Sequence, residues 1–163
     1  MKIDLLQKIS IPEGVEVIID GGMIKASLGS NSLEKKFTYP NVNITKENGF
    51  VTLSAKKGTK REKRIINTFK AVINNMLNGV KENYEYKLMI CSSHFPMSVS
   101  IEKEEVVIKN FLGEKIPRKT RILKGTKVII DGTVIKVIGI DKEVVGMMAG
   151  MIEKLSNIQG RDR

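Results

Sequence analysis

The chain has 163 residues, 41% of them hydrophobic, with 28 lysines and arginines against 18 aspartates and glutamates for a net charge of +10. That is length enough for a buried core in one domain or two small ones, with an excess of cations that suits a polyanionic partner, nucleic acid first. No run approaches the roughly 18 apolar residues of a spanning helix, the start MKIDLLQKIS lacks a signal-peptide core, and the single Cys91 leaves no intramolecular disulfide or cysteine metal cluster, so the chain reads as cytosolic.

Met1 to Ser10 reads as a short mixed segment with room for one helical turn, leading into Ile11-Pro12-Glu13-Gly14. Strands follow. Val15, Val17 and Ile19 alternate, Asp20-Gly21-Gly22 is a hairpin signal, and Met23 to Leu28 returns. Gly29-Ser30-Asn31 turns the chain again, Leu33 to Thr38 and Val42 to Thr45 are extended, and Glu47-Asn48-Gly49 leads into Phe50 to Leu53. The pattern is an antiparallel meander. Past Gly58 the apolar period changes to that of a helix, with Ile65, Ile66, Phe69, Val72, Ile73, Met76, Leu77 and Val80 on one stripe. Thr59 and Glu62 are spaced as a capping box, and Gly79 reads as the stop. A lone four-stranded sheet needs such a cover, so the stripe is core.

After the charged connector Lys81 to Glu85, a strand is predicted over Lys87 to Ser92, and the pattern repeats at a shift of 84 residues. Val15-x-Val17 returns as Val99-x-Ile101, Ile24-Lys25-x-x-Leu28-Gly29 as Ile108-Lys109-x-x-Leu112-Gly113, and Val51-x-Leu53 as Ile135-x-Val137. A second helical stripe, Val144, Val145, Met148, Ala149, Ile152 and Leu155, follows Asp141 as N-cap. The expected fold class is α+β: two duplicated small domains, residues 1–83 and 84–163, each an antiparallel or mixed sheet covered by one long helix.

The most distinctive stretch is Asn110 to Arg121, NFLGEKIPRKTR. Gly113 breaks a strand where a side chain would hinder a tight turn. From Lys115 to Lys127 come Lys115, Arg118, Lys119, Arg121, Lys124 and Lys127 with no carboxylate among them, and Pro117 keeps the segment out of a helix. It reads as an uncompensated cationic arm on extended chain, able to follow a phosphate backbone. In the first half Lys56, Lys57, Lys60, Arg61, Lys63 and Arg64 cluster where sheet passes into helix; Glu62 lies within them, and they read as part solvated surface, part contact.

Catalytic chemistry is sparse. His94 is the only histidine, so Cys91 with His94 is the one nucleophilic pair to consider, and three residues apart on a strand end they face opposite ways with no acid to orient the imidazole. There is no GxGxxG or GxxxxGK phosphate loop. Five phenylalanines, three tyrosines and no tryptophan argue against base stacking and in favour of recognition by shape and phosphate. No cofactor, metal or small-molecule substrate is indicated. The rivals to RNA binding are a protein-interaction adapter and an RNA-processing factor on the same duplicated fold.

Together the duplication and the words Tyr86-Lys87-Leu88, His94-Phe95-Pro96-Met97, Asn110-Phe111-Leu112-Gly113-Glu114-Lys115, Gly139-Ile140-Asp141-Lys142-Glu143, Val145-Gly146 and Gly160-Arg161-Asp162-Arg163 resemble the L-six family of large-ribosomal-subunit proteins. The archaeal form, with eukaryotic counterpart L-nine, is most similar. The resemblance implies a non-catalytic, cytoplasmic constituent of the large subunit. It implies binding to large-subunit rRNA, chiefly by the second domain, near the sarcin–ricin loop and the stalk base, as a monomer beside neighbouring ribosomal proteins. The rRNA contacts it implies are Asn110, Gly113, Lys115, Arg118, Arg121, Arg161 and Arg163, and the cationic run adds Lys119 and Lys124. Relatives commonly carry a polar residue at the place of Met148 and Ala-Asn at Gly150-Met151, and their pattern continues past Gly-Arg-Asp-Arg into a tail.

Overall fold

The computed structural model describes residues 3–92 and 94–158, and the chain divides into two compact units, Met1–Asn83 and Tyr84–Arg163. Among the described residues the first unit holds β1 (Ile3–Ser10), β2 (Glu16–Asp20), β3 (Met23–Leu28), β4 (Asn31–Lys36), β5 (Asn43–Glu47), β6 (Phe50–Gly58) and α1 (Lys60–Lys81). These strands form two antiparallel three-stranded sheets, β2-β3-β4 and β1-β6-β5, where the sequence reading expected one sheet of four. Helix α1 touches β3 and β4 of one sheet and β1 and β6 of the other, so one apolar stripe covers both. Ile66, Ile73, Met76 and Val80 pack into the unit's interior with Ile24, Ala26, Val51 and Leu53, all at most 1% exposed.

The hairpins form where the turn residues require them. Gly21 and Gly22 sit at φ 53° and 87°, the paired left-handed geometry that matches strand twist. A side chain at Gly22 would place its Cβ 2.7 Å from the Phe37 carbonyl oxygen, so this turn also needs glycine for space. Asn48-Gly49 repeats the geometry at φ 45° and 81° between β5 and β6.

Two further expectations differ from the structure in this unit. Ile3 to Ser10 is a full strand paired to β6, not a mixed segment with a helical turn. Its inward positions are Leu5, Gln7 and Ile9, and Gln7 hides the alternation because it is polar; its Oε1 accepts from Lys70 Nζ of α1 at 2.8 Å. Gly79 does not stop α1, which runs two residues further; it is buried in the last turn, and the Glu82 N–H closes the helix on the Asn78 carbonyl at 2.8 Å. At the other end the capping box forms as expected: the Arg61 N–H donates to Thr59 Oγ1 at 3.2 Å and the Thr59 N–H to Glu62 Oε2 at 2.8 Å.

The second unit repeats this order with β7 (Tyr84–Met89), β8 (Ser98–Glu102), β9 (Glu105–Lys109), a 3-10 turn at Phe111–Gly113, β10 (Arg118–Arg121), β11 (Thr126–Asp131), β12 (Val134–Gly139) and α2 (Lys142–Leu155). Its sheets, β8-β9-β10 and β7-β12-β11, pair strand for strand as in the first unit. The duplication therefore extends from sequence words to topology. Asp141 caps α2 by accepting from the Glu143 N–H at 3.0 Å, and Val145, Met148, Ala149 and Ile152 join Val106, Val128, Ile135 and Val137 in the core. Strand β7 begins three residues before the predicted Lys87 and ends at Met89, so Cys91 and His94 lie in irregular chain rather than on a strand.

Candidate nucleic-acid interface

Strand β9 ends at Lys109 because the next residues leave the sheet region of backbone space. Asn110, Leu112 and Gly113 have φ of 59°, 48° and 76°, and together they fold a tight corner. Asparagine accepts this conformation better than most residues, and glycine without cost, whereas Leu112 is held there at a cost of about 1–2 kcal/mol. The corner is tied down at both ends. Asn110 Nδ2 donates to the Pro96 carbonyl at 2.8 Å, and Phe111 is buried beneath it. A Cβ at Gly113 would meet Phe95 Cε1 at 3.4 Å.

After Pro117, β10 pairs with β9, Arg118 opposite Ile108 and Arg121 opposite Glu105. Alternation along the strand sends Arg118 and Thr120 to the half-buried side and Lys119 and Arg121 to solvent. Arg118 is fully engaged within its own unit. Its Nε and Nη2 grip Glu114 Oε2 and Oε1 at 2.8 and 2.6 Å, while Nη1 donates to the carbonyls of Leu155 at 2.5 Å and Asn157 at 2.9 Å. The guanidinium also lies 4.4 Å from the centroid of the Phe111 ring. Hydrogen bonds from Arg118 pull the Glu114 carboxyl below its ordinary range, and the same bonds raise the guanidinium further.

The arm is therefore not uncompensated. Glu114, one residue outside the cationic run, is the partner that a window from Lys115 to Lys127 leaves out. Arg121 has a looser neighbour, Glu105 Oε1 at 3.7 Å across the strand pair, and remains 89% exposed. Lys115, Lys119 and Lys124 are exposed, and among the described residues Lys115 and Lys124 have no ion pair. Glu102 is drawn below its ordinary value chiefly by its 2.6 Å bond from Lys109, with Lys119 a smaller influence. The solvent-facing cations of the run are thus Lys115, Lys119, Arg121, Lys124 and Lys127. Arg161 and Arg163 lie outside the described residues.

The remaining candidate chemistry is not assembled. Cys91 and His94 are both exposed, along a depression lined also by Phe95, Met97, Phe111 and Leu112, and the His94 ring meets Phe95 edge-on. Among the described residues no three His, Cys, Asp or Glu side chains could hold a metal, and no helix is long and apolar enough to cross a membrane. Met148 is fully buried and its Sδ accepts from the Leu123 N–H at 3.4 Å, so the thioether serves as acceptor within the core.

A family model described as ribosomal protein L6 matches residues 11–83 and 95–162, one segment in each unit. The chain belongs to the ribosomal protein L6 family. It is similar to the large ribosomal subunit protein uL6 of Methanobrevibacter smithii, with 42% identity over 156 residues covering 96% of this chain and 88% of that protein. L6-family proteins are structural, non-enzymatic components of the large ribosomal subunit, which is cytoplasmic, and rRNA binding and a part in translation come with membership. The α+β duplicated fold expected from the repeat agrees with this family. The Cys91 and His94 pair needs no catalytic role in it.

Proposed function

We propose that the chain binds large-subunit rRNA near the sarcin–ricin loop and the stalk base, mainly through the unit 84–163, and so supports subunit assembly and translation. The observation that carries this is the division of labour in β10 and its flanks. Arg118 straps the corner to the end of α2, while Lys115, Lys119, Arg121 and Lys124 stand in solvent on the mount it fixes. Phosphate contacts set position and orientation, and folded RNA is read by shape and backbone, so exposed cations on a strand and its flanking turns fit that partner. Asn110 and Gly113 serve by shaping the corner, where the backbone can approach RNA closely. Arg118 is a positioning residue. Arg161 and Arg163 are assigned as contacts on the family pattern alone, and the partners beside the rRNA are neighbouring ribosomal proteins around a single copy of this chain.

The test is a tagged K115A/K119A/R121A/K124A variant expressed alongside the native chain. The reading expects it to melt like the native protein yet to be depleted from large subunits after a moderate salt wash. Retention at native occupancy, or crosslinks from position 119 that fall away from the sarcin–ricin region, would overturn it.

A further inference from the structure

A second cluster of exposed cations lies in the first unit, at the junction of β6 and α1. Lys56, Lys57, Lys60, Arg61, Lys63 and Arg64 are all exposed. The backbone does something unusual to present two of them. Pairing of β1 with β6 runs Leu5 to Ala55 and then Ile3 to Gly58, so Asp4 alone faces both Lys56 and Lys57. This is a bulge, a device that bends a strand and re-aims its side chains. Lys57 adopts φ 51°, a position that favours glycine, and its N–H is held by Asp4 Oδ1 at 2.8 Å. Immediately beyond, Gly58 lets α1 start against β1, since a Cβ there would come within 2.7 Å of Leu5 Cδ1.

On α1 itself Lys60, Lys63 and Arg64 share one face at spacings of three and four, where like charges repel, and cations near a helix start also oppose its dipole. None of this helps the fold. The two nearby carboxylates are occupied, Asp4 by the Lys57 amide and Glu62 by Thr59 of the cap, whose hydrogen bonds hold the Glu62 carboxyl below its ordinary value. Lys56, Lys57, Lys60, Lys63 and Arg64 have no ion pair among the described residues. Arg61 is braced over the Tyr39 ring, 5.9 Å from its centroid. The helix end as such is not the feature, because its first amides are already capped. The feature is a strained bulge and a repulsive helix face that together display six cations within nine residues.

We propose that this junction is a second RNA-backbone contact surface, separate from the one in the unit 84–163. The inference rests on the rRNA reading above, which makes rRNA phosphates the polyanion at hand. Neighbouring cations on the helix face stand about 5–6 Å apart at Cβ and can neutralise several phosphates of one folded strand.

The experiment measures binding of the purified full chain to a large-subunit rRNA transcript from about 50 to 200 mM salt. It compares K60A/K63A/R64A, K115A/K119A/K124A and their combination. At roughly 0.7–0.9 of log-log slope per neutralised phosphate, the first variant is expected to lower the slope by about two, additively with the second. A native slope in K60A/K63A/R64A, with a reduced slope in the other triple variant, would overturn the second surface and leave the first reading intact. A reduced slope in K60A/K63A/R64A alone would support the junction and count against the unit 84–163. Anionic phospholipid vesicles serve as the competing polyanion: binding to them lost in K60A/K63A/R64A, with the RNA slope unchanged, would assign the patch to a membrane surface and overturn the proposal. Matching circular dichroism melts for all variants keep the comparison one of charge.

Discussion

Two cationic regions of similar sequence character differ in what the fold does with them. Around β10 the structure holds its most central arginine internally: Arg118 binds Glu114, the carbonyls of Leu155 at the end of α2 and Asn157 just past it, and the Phe111 face, and Arg121 leans on Glu105. At the junction of β6 and α1 the fold instead binds the acids and releases the cations, Asp4 to a backbone amide and Glu62 to its cap. A count of positive charge therefore says little about which residues meet a polyanion. What matters is where the neighbouring carboxylates are bonded.

The sharpest way to break this comparison is Arg118→Ala. It removes four hydrogen bonds, two of them to a carboxylate and two to carbonyls, and should cost about 2–3 kcal/mol in urea unfolding. Arg118→Lys should recover little, because an ammonium cannot span the same forked set of acceptors. Native stability in Arg118→Ala would return Arg118 to the group of free contacts. Lys57→Gly should act in the opposite sense, relieving the φ 51° conformation and stabilising by up to about 1 kcal/mol while weakening RNA binding. A variant that is both more stable and fully binding would remove the functional reason for the strain. Arg121→Ala comes next, with stability within about 0.5 kcal/mol of native because its ion pair is long and 89% exposed, and with a loss confined to RNA affinity. Last is a small acid effect. The folded-state carboxyl of Glu114 titrates below its ordinary value of 4.5, so the stability it contributes is complete above that value and is lost as pH falls through the lower folded one. Comparing Glu114→Gln with the native chain across that window should show a shallower acid slope in the variant; identical slopes would mean that the pair carries no linkage.

Local signals were legible wherever local chemistry decides structure. Asp20-Gly21-Gly22 and Asn48-Gly49 marked their hairpins, Thr59 with Glu62 and Asp141 marked the helix starts, and the shift of 84 residues exposed the duplication. Tertiary partnerships hid the rest. β1 is masked because a polar residue, Gln7, occupies an inward position, where it is bonded by Lys70 of α1. Gly79 looked like a stop because its burial within α1 cannot be read from spacing. In the candidate interface the exposed lysines could be named from the sequence, but the capture of Arg118 by the carbonyls of Leu155 and Asn157 joins residues nearly forty positions apart. Strand register likewise brings Glu105 opposite Arg121, a pairing that no one-dimensional window contains.

The pairing of β1 with β6 has a consequence during synthesis. Ser10 meets Phe50 and Lys8 meets Thr52, so β1 has no partner until some forty residues later. At about 5–20 residues per second, Ile3 to Ser10 waits roughly 2–8 s with its edges open. β7 repeats the delay, since Met89 must await Val134. Each newborn half thus passes through an interval with one strand unpaired, until the strand before its helix arrives. That interval is when a chaperone at the ribosome's exit has most to shield.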